Sequence, residues 1–282
     1  MSEERQHAEQ EERMSTVASE ETNGKGEGLL ERIAYRIVNT HFIRSMYRTP
    51  WPTDRRSRLM VVLESMVLHL HPTKLPRHAV RVCYTWCLGG LSFYLFLVLT
   101  VTGILLMFYY RPTVEHAYWD MKDMMNVTPF GRVLRNMHRW AAHAMLIAVW
   151  LHMLRVFLTG AYKPPREFNW VVGVTLLVLT MLLSFTGYLL TWDQLALWAV
   201  TVGTNMARAT PFLGHEGPFG PQLHMTPYND VRFALLGGSI VGENALLRFY
   251  VWHCLGFPFI VAWLMAIHFW RVRKDGGIST PL

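Results

Sequence analysis

The chain has 282 residues, 51% of them hydrophobic, with 11 tryptophans and a formal net charge of +7. Its apolar residues gather in long runs, which excludes an ordinary soluble domain, and the basic excess comes without any nucleic-acid-reading motif, so no nucleic-acid partner is expected. Three cysteines, Cys83, Cys87 and Cys254, are too few for a disulfide framework.

Residues 1–28 hold eight Glu against two Arg and one Lys, with almost no large apolar side chains. Such a segment cannot bury enough surface to offset its ordering entropy, so it reads as a disordered acidic tail. It contains no apolar run that would make a signal peptide. Residues 29–82 change character. LLERIAYRIVNTHFIRSMY places apolar positions at helical spacing with arginines between them, and residues 31–81 carry ten Lys or Arg against three acids. Two explanations fit: amphipathic helices against the cytoplasmic membrane surface, in contact with lipid, or helices docked on a partner subunit. His69, His71 and His78 lack a ligand set around them and read as surface residues.

Four runs are long enough to span a bilayer, near residues 86–110, 139–159, 170–191 and 249–270. The first carries Gly89 and Gly103, and the third carries Gly173 and Gly187, each pair 14 residues apart. The second carries His138 and His152, also 14 apart, flanked by Arg135, Arg139 and Arg155. At about 100° per residue both imidazoles leave one helix face, roughly 21 Å apart along the axis. The fourth carries His253 and His268, 15 apart, an angular offset of about 60°. Two helices of this kind can supply two stacked bis-imidazole sites, and imidazole is a common axial ligand for haem iron. A buried membrane histidine can also be a packing residue. Two matched pairs with arginine flanks favour the ligand reading, because ionisable groups at that depth are costly. The glycines repeat the histidine period. They read as notches where a flat ring approaches the backbone, facing an upper and a lower haem, with close helix packing as the alternative. The c-type haem attachment sequence CxxCH is absent.

Topology follows from charge. The basic amino-terminal region, the turn AYKPPREFNW and the RVRK end place both termini on the cytoplasmic side of the membrane. The opposite side receives two long connections, about 111–137 and 192–248, which are expected to cover or build a site. Residues 211–230, rich in Gly and Pro, read as irregular. The expected fold is all-α: a four-helix transmembrane bundle over residues 83–282, preceded by amphipathic surface helices.

From Tyr84 to Leu282 the chain resembles cytochrome b, and more narrowly the cytochrome b6 type of b6f-like quinol oxidoreductases. The resemblance rests on WCLGG, FYYRPT, the HRW at His138, LTG followed by KPPRE, TGYLLTWDQ, RFYxxH and the closing GISTPL. It implies two b haems: His138 and His253 would bind the outer one, His152 and His268 the cytoplasmic-side one. It puts Arg135 and Arg139 near outer haem propionates, and Arg155 and Arg273 at the cytoplasmic end, where they could pair with propionates or quinone. WCLGG places Cys87 where the b6 type forms a single thioether to a third haem without an axial side chain. The alternative for Cys87 is a small buried thiol. Cys254 directly follows a ligand and is expected to point away from it. Two departures stand out: Thr191 occupies a position where the family commonly has proline, and residues 211–230 look longer than usual.

The resemblance implies the haem-bearing subunit of a quinol oxidoreductase. Quinol is oxidised at the outer side and quinone is reduced at the cytoplasmic side. A Rieske iron–sulfur protein and a c-type cytochrome are expected partners, in a homodimeric complex. No PEWY sequence occurs, so a subunit-IV-like partner carrying the remaining helices is expected. The rivals are a dihaem cytochrome b anchor of a dehydrogenase or hydrogenase, against which WCLGG and the paired glycines argue, and a non-redox membrane scaffold.

Overall fold

The computed structural model describes residues 29–46, 54–63 and 77–278. The acidic tail, His69 and His71 lie outside these. The chain separates into two units, Met1–Val62 and Leu63–Leu282. The first holds the helices Leu29–Val38 and His41–Met46 and most of Arg55–Leu63. The turn between the first two is closed by the Thr40 hydroxyl, which donates to the Ile37 carbonyl at 2.8 Å. Asp54 caps the third, accepting from the backbone amides of Arg56 and Ser57 at 3.1 Å. Ile33, Ile37 and Phe42 are exposed on these helices, as are Arg32, Arg36 and Arg44.

In the second unit every regular element among the described residues is helical. Four helices are long and apolar enough to cross a membrane: Leu88–Met107, Gly131–Leu158, Glu167–Leu189 and Glu243–Lys274, the first to fourth spans below. Their outward faces carry exposed side chains such as Leu97, Trp150, Phe259 and Trp263. A soluble protein does not leave apolar surface of that extent uncovered. The second span begins at Gly131 rather than near 139. The helix continues through turns bearing Arg132, Arg135 and Arg139, whose charge hides them from a search for apolar runs. His78 is not a free surface residue: it is half-buried in the short 3₁₀ turn Arg77–Val80, its ring edge-on to Tyr84 at 5.2 Å.

The fourth span is not a plain α-helix. Its segment Glu243–Val251 passes into one π turn, Trp252–Gly256, before α geometry resumes at Phe257–Lys274. The Phe257 amide donates to the Trp252 carbonyl, five residues back. Two residues account for it. Pro258 has no amide hydrogen for the carbonyl four residues earlier and clashes with it in α geometry. Gly256 lacks the Cβ that would strike the Trp252 ring. The wide turn absorbs one extra residue.

Midway along the bundle, each span contributes one buried side chain to a single cluster: Phe96, Met145, Leu179 and Val261. At the end carrying the long connections (the loop end) a second cluster caps the spans. It joins Tyr110, Ala117, Met124, Leu189, Val200, Leu236 and Leu246 among others. The connections are therefore structured and cover the loop end of the bundle, as expected of them. They contain the helices Ala117–Asn126, Gln194–Arg208 and Val231–Leu236. Asp193 caps the second of these, accepting from the Ala196 amide at 2.9 Å. The Tyr110 hydroxyl donates to the Leu190 carbonyl at 2.8 Å, tying the end of the first span to the end of the third. Arg111 grips the buried Asp120 carboxylate through Nε at 3.1 Å and through Nη2 at 2.6 Å, and this pairing holds the Asp120 carboxyl below its usual range.

Residues 211–230 form successive turns, as expected from their composition. They are fastened by Asp230, whose side chain is fully buried. It accepts from the Phe233 amide at 2.8 Å and from His215 Nδ1 at 2.6 Å, with Arg208 Nε at 3.4 Å. Burial pushes the Asp230 carboxyl up, but the Phe233 amide, His215 and Arg208 together outweigh it and leave it below the ordinary value.

Candidate functional site

The four span histidines meet in two pairs. His138 and His253 face each other with ring centroids 6.2 Å apart and planes at 74°. His152 and His268 do so at 6.4 Å and 82°. The π turn explains the common register. His253 and His268 are 15 residues apart, and one residue is taken up by the turn. The pair therefore behaves like one at a 14-residue α spacing, matching the second span, and the 60° offset expected from plain helix geometry does not arise.

Each histidine is backed by one of the four glycines. A Cβ on Gly187 would fall 2.5 Å from His253 Cε1, and one on Gly103 or Gly89 would fall 3.3 Å from Cε1 of His138 or His152. On Gly173 it would stand 3.6 Å from His268 Cε1, an ordinary contact. The flat rings that approach these glycines are thus the imidazoles themselves. Gly187 admits no other residue without moving His253, whereas Gly173 has room.

The two pairs differ in what holds them. His253 Nδ1 donates to the Leu183 carbonyl at 3.1 Å and lies 3.3 Å from the Thr186 hydroxyl. A carbonyl only accepts, so the neutral ring carries its proton on Nδ1 and keeps the Nε2 lone pair. The Thr102 hydroxyl donates to the Val98 carbonyl at 2.7 Å and meets His138 Nδ1 at 2.8 Å, which sets the same tautomer there. Thr102 and Thr186 each precede a site glycine, a Thr-Gly signal that sequence reasoning passed over. At the other pair Leu88 and Val172 precede the glycines; His152 Nδ1 has no hydrogen-bond partner among the described residues, and His268 faces the Asn169 backbone without a well-formed bond.

Each pair borders a cavity. The loop-end cavity, 600 Å³, is lined by His138, His253, Arg135, Arg139, Gly103 and Gly187 among others. Cys254 also lines it instead of pointing away, because the π turn widens the step between it and His253. The second cavity, 390 Å³, lies at the terminal end, where the first span begins and the fourth ends. It is lined by His152, His268, Gly89, Gly173, Arg155 and Cys87. Arg166, from KPPRE, lines it too and was missed; Arg273 is not among its lining residues. Arg155 lies over the Tyr84 ring at 5.5 Å. Nε of Arg155, Nε of Arg166 and Oδ1 of Asn169 are buried here without hydrogen-bond partners among the described residues. Beyond the cavity, Arg271 pairs with Asp275 at 3.1 Å, both side chains fully buried.

Cys87 and Cys83 are both exposed, but only Cys87 lines the cavity. Trp86 and Cys87 take consecutive left-handed conformations, with φ of 52° and 50°. That geometry costs about 1–2 kcal/mol per residue. It breaks the chain between the short helix Val82–Thr85 and the first span, and Cys87 caps the span at the cavity mouth.

The residues present fit a haem. A metal–imidazole bond is about 2.0–2.1 Å. Two such bonds in line between rings 6.2–6.4 Å apart leave about 2 Å, the sum of two imidazole radii. Among the described residues no cluster of three or more His, Cys, Asp or Glu offers a competing metal site.

A membrane-spanning helical bundle with two facing-histidine layers is the class of protein that this fold and site define. A family model described as Cytochrome b/b6/petB matches residues 74–276. Cytochrome b6 of Heliobacterium modesticaldum is 41% identical over 212 residues, which cover 75% of this chain and 91% of that protein. Cytochrome b6 of Heliobacterium mobile is 38% identical over 232 residues, covering 82% and 99%. Cytochrome b6 of Euglena gracilis is 41% identical over 197 residues, covering 70% and 85%. Among solved structures, a chain of a hyperthermophilic respiratory complex III matches with a TM-score of 0.59 at 27% identity, over 79% of this chain. The match spans 53% of that chain, about half its length. The chain belongs to the cytochrome b/b6 family: it is an integral membrane protein of the b-type haem, electron-transport class.

Proposed function

We propose that the chain is the dihaem subunit of a membrane quinol oxidoreductase, in which His138 and His253 would hold one b haem and His152 and His268 a second. The observation that carries this reading is the pair of matched imidazole gaps, 6.2 and 6.4 Å, each backed by two glycines. A bis-imidazole haem supplies a one-electron carrier. The remaining work falls to the chain's own residues. The Leu183 carbonyl and the threonines hold the loop-end rings by Nδ1 and direct Nε2 lone pairs into the gap. Phe96, Met145, Leu179 and Val261 keep the layer between the sites apolar and dry. Arg135 and Arg139 offer cations for propionates at one end, and Arg155 does so at the other, with Arg166 beside it.

Both termini lie on the cytoplasmic side, so the loop-end haem site faces outward, and quinol gives up its electrons on that side of the membrane. Quinone is reduced at the terminal end. There Cys87 would hold a third haem through one thioether; its exposed position on the cavity wall, at the strained start of the first span, supports this. A subunit-IV-like part, a Rieske iron–sulfur protein and a c-type cytochrome complete a homodimeric complex.

Haem quantification on the purified subunit tests the reading. Two extractable b haems per chain are expected, with one covalent haem that survives denaturation as peroxidase staining at this subunit's mass. Cys87→Ser should abolish the stain and Cys83→Ser should leave it. A chain without a reduced-minus-oxidised b-type spectrum ends the redox reading altogether.

A further inference from the structure

The helices before the bundle take no part in the haem sites. They precede residue 74, where the cytochrome b/b6 match begins, and they belong to the separate unit Met1–Val62. In Leu29–Val38, Ile33 and Ile37 make one exposed row and Arg32 and Arg36 another, each with a spacing of four residues. That spacing keeps each row on one side of the helix, and the two rows lie about 100° apart. The helix thus carries an apolar stripe edged by guanidinium groups. The next helix, His41–Met46, adds Phe42 and Arg44, both exposed. Arg44 is steadied by Asn39, its Nη2 donating to Oδ1 at 2.8 Å.

Charge decides what covers this face. Residues 29–62 carry seven arginines against two acids, Glu31 and Asp54. Asp54 is occupied by its own helix, where it also accepts from the Ser57 hydroxyl at 2.6 Å. No ion pair holds Arg32 or Arg36 among the described residues. A protein partner would need an apolar groove and a parallel row of acids in matching register. A bilayer offers both along its whole surface, acyl chains beneath a layer of negative headgroups. The planar guanidinium fork suits phosphate oxygens. The chain runs on from these helices to the first span at Leu88, so a bilayer surface is always within their reach.

We propose that Leu29–Met46 is a clasp for anionic phospholipid: Ile33, Ile37 and Phe42 enter the acyl boundary, while Arg32, Arg36 and Arg44 donate to the headgroup phosphates. The inference is independent of the haem and quinol readings above.

Hydrogen–deuterium exchange on the intact complex tests it, in nanodiscs of phosphatidylcholine with and without phosphatidylglycerol. Amides of residues 29–46 should exchange about tenfold more slowly when phosphatidylglycerol is present, and high salt should remove most of that difference. In the double variant Arg32→Gln with Arg36→Gln, exchange in the two kinds of disc should agree within about twofold. Arg32→Lys with Arg36→Lys, which keeps the charge, should retain the slowing. Ile33→Ser with Ile37→Ser should lose it, because the stripe no longer enters the bilayer. Equal exchange of the wild type in the two discs overturns the inference, and strong protection in both assigns the face to a protein partner. Slowing that survives in the Gln variant also overturns it, since the lipid then acts elsewhere. The b-haem spectra should be those of the wild type throughout, so failure here leaves the haem reading standing.

Discussion

At the loop end of the bundle both imidazoles have their Nδ1 atoms in hydrogen bonds, and interlocked helices cap the cavity. At the terminal end neither imidazole has such a bond among the described residues, and the wall holds buried arginine nitrogens without hydrogen-bond partners. The same four-fold scheme of histidine against glycine thus occurs twice with different support. One site is organised by the chain itself. The other carries polar groups whose desolvation, about 1–3 kcal/mol for each unmade bond, is relieved by whatever anionic or hydrogen-bonding group enters it. The difference teaches that ligand geometry and ligand support are separable: helix period sets the first, and the Leu183 carbonyl together with the threonine before each loop-end glycine sets the second.

Removing ligands is the largest perturbation and should act on one storey at a time. His152→Ala should lose the terminal-end haem and His138→Ala the loop-end one, each leaving the other low-spin signal in a difference spectrum. Two normal b signals in either variant would break the assignment.

Next come the glycines. Gly187→Ala should destabilise the loop-end site by about 1–3 kcal/mol through overpacking and lower its haem occupancy, because the His253 ring must move. Gly173→Ala should cost well under about 1 kcal/mol, within the range of tolerated packing changes. Equal haem loss in the two variants would show that these contacts do not decide occupancy.

The threonines sharpen the contrast more finely. Thr102→Val removes the acceptor for His138 Nδ1 and makes the imidazole a poorer donor to iron. The midpoint potential of the loop-end haem should rise by roughly 20–60 mV, the one-electron equivalent of about 0.5–1.5 kcal/mol. The terminal-end potential should stay where it was. A redox titration resolving both haems reads this directly, and a shift in the terminal-end haem would contradict the proposed pairing.

The smallest effect on the haems is expected from Asp230→Asn, which sits in the long connection. Its carboxyl is held below the ordinary value. The stabilisation it provides is therefore present above about pH 4, the unfolded value, and is lost as pH falls through the lower folded value. Proteolysis within residues 211–230 should quicken in the wild type only under such acid, and in the variant already at neutral pH, with both haem spectra unchanged. Equal cleavage of wild type and variant at neutral pH would remove Asp230 as the fastening point.

Much of the site was legible before any coordinates. A helix repeats its faces at a fixed angle, so His138 and His152 had to share one, and glycines at the same 14-residue period had to stack in register with them. Cys87 was singled out by WCLGG, and the tertiary structure separates it from Cys83 by placing it on the cavity wall. The 15-residue spacing in the fourth span was read as a 60° offset because periodicity assumes one helix type throughout. Gly256 and Pro258 carried the signal for a π turn, but only the packing of Trp252 into the space beside Gly256 makes that turn the favoured solution.

What the sequence alone determined is local and periodic: four spans, two histidine layers and the glycines opposite them, because these follow from residue spacing along single helices. Which glycine meets which histidine, that Thr102 and Thr186 hold only the loop-end rings, that Cys254 turns into the cavity, and that Arg166 enters the terminal-end site where Arg273 does not, were decided by tertiary structure. Those outcomes depend on how helices far apart in the chain are rotated and shifted against one another. That choice is made by side-chain packing across the bundle, at contacts such as Phe96 with Met145, Leu179 and Val261, and is not encoded at any single position.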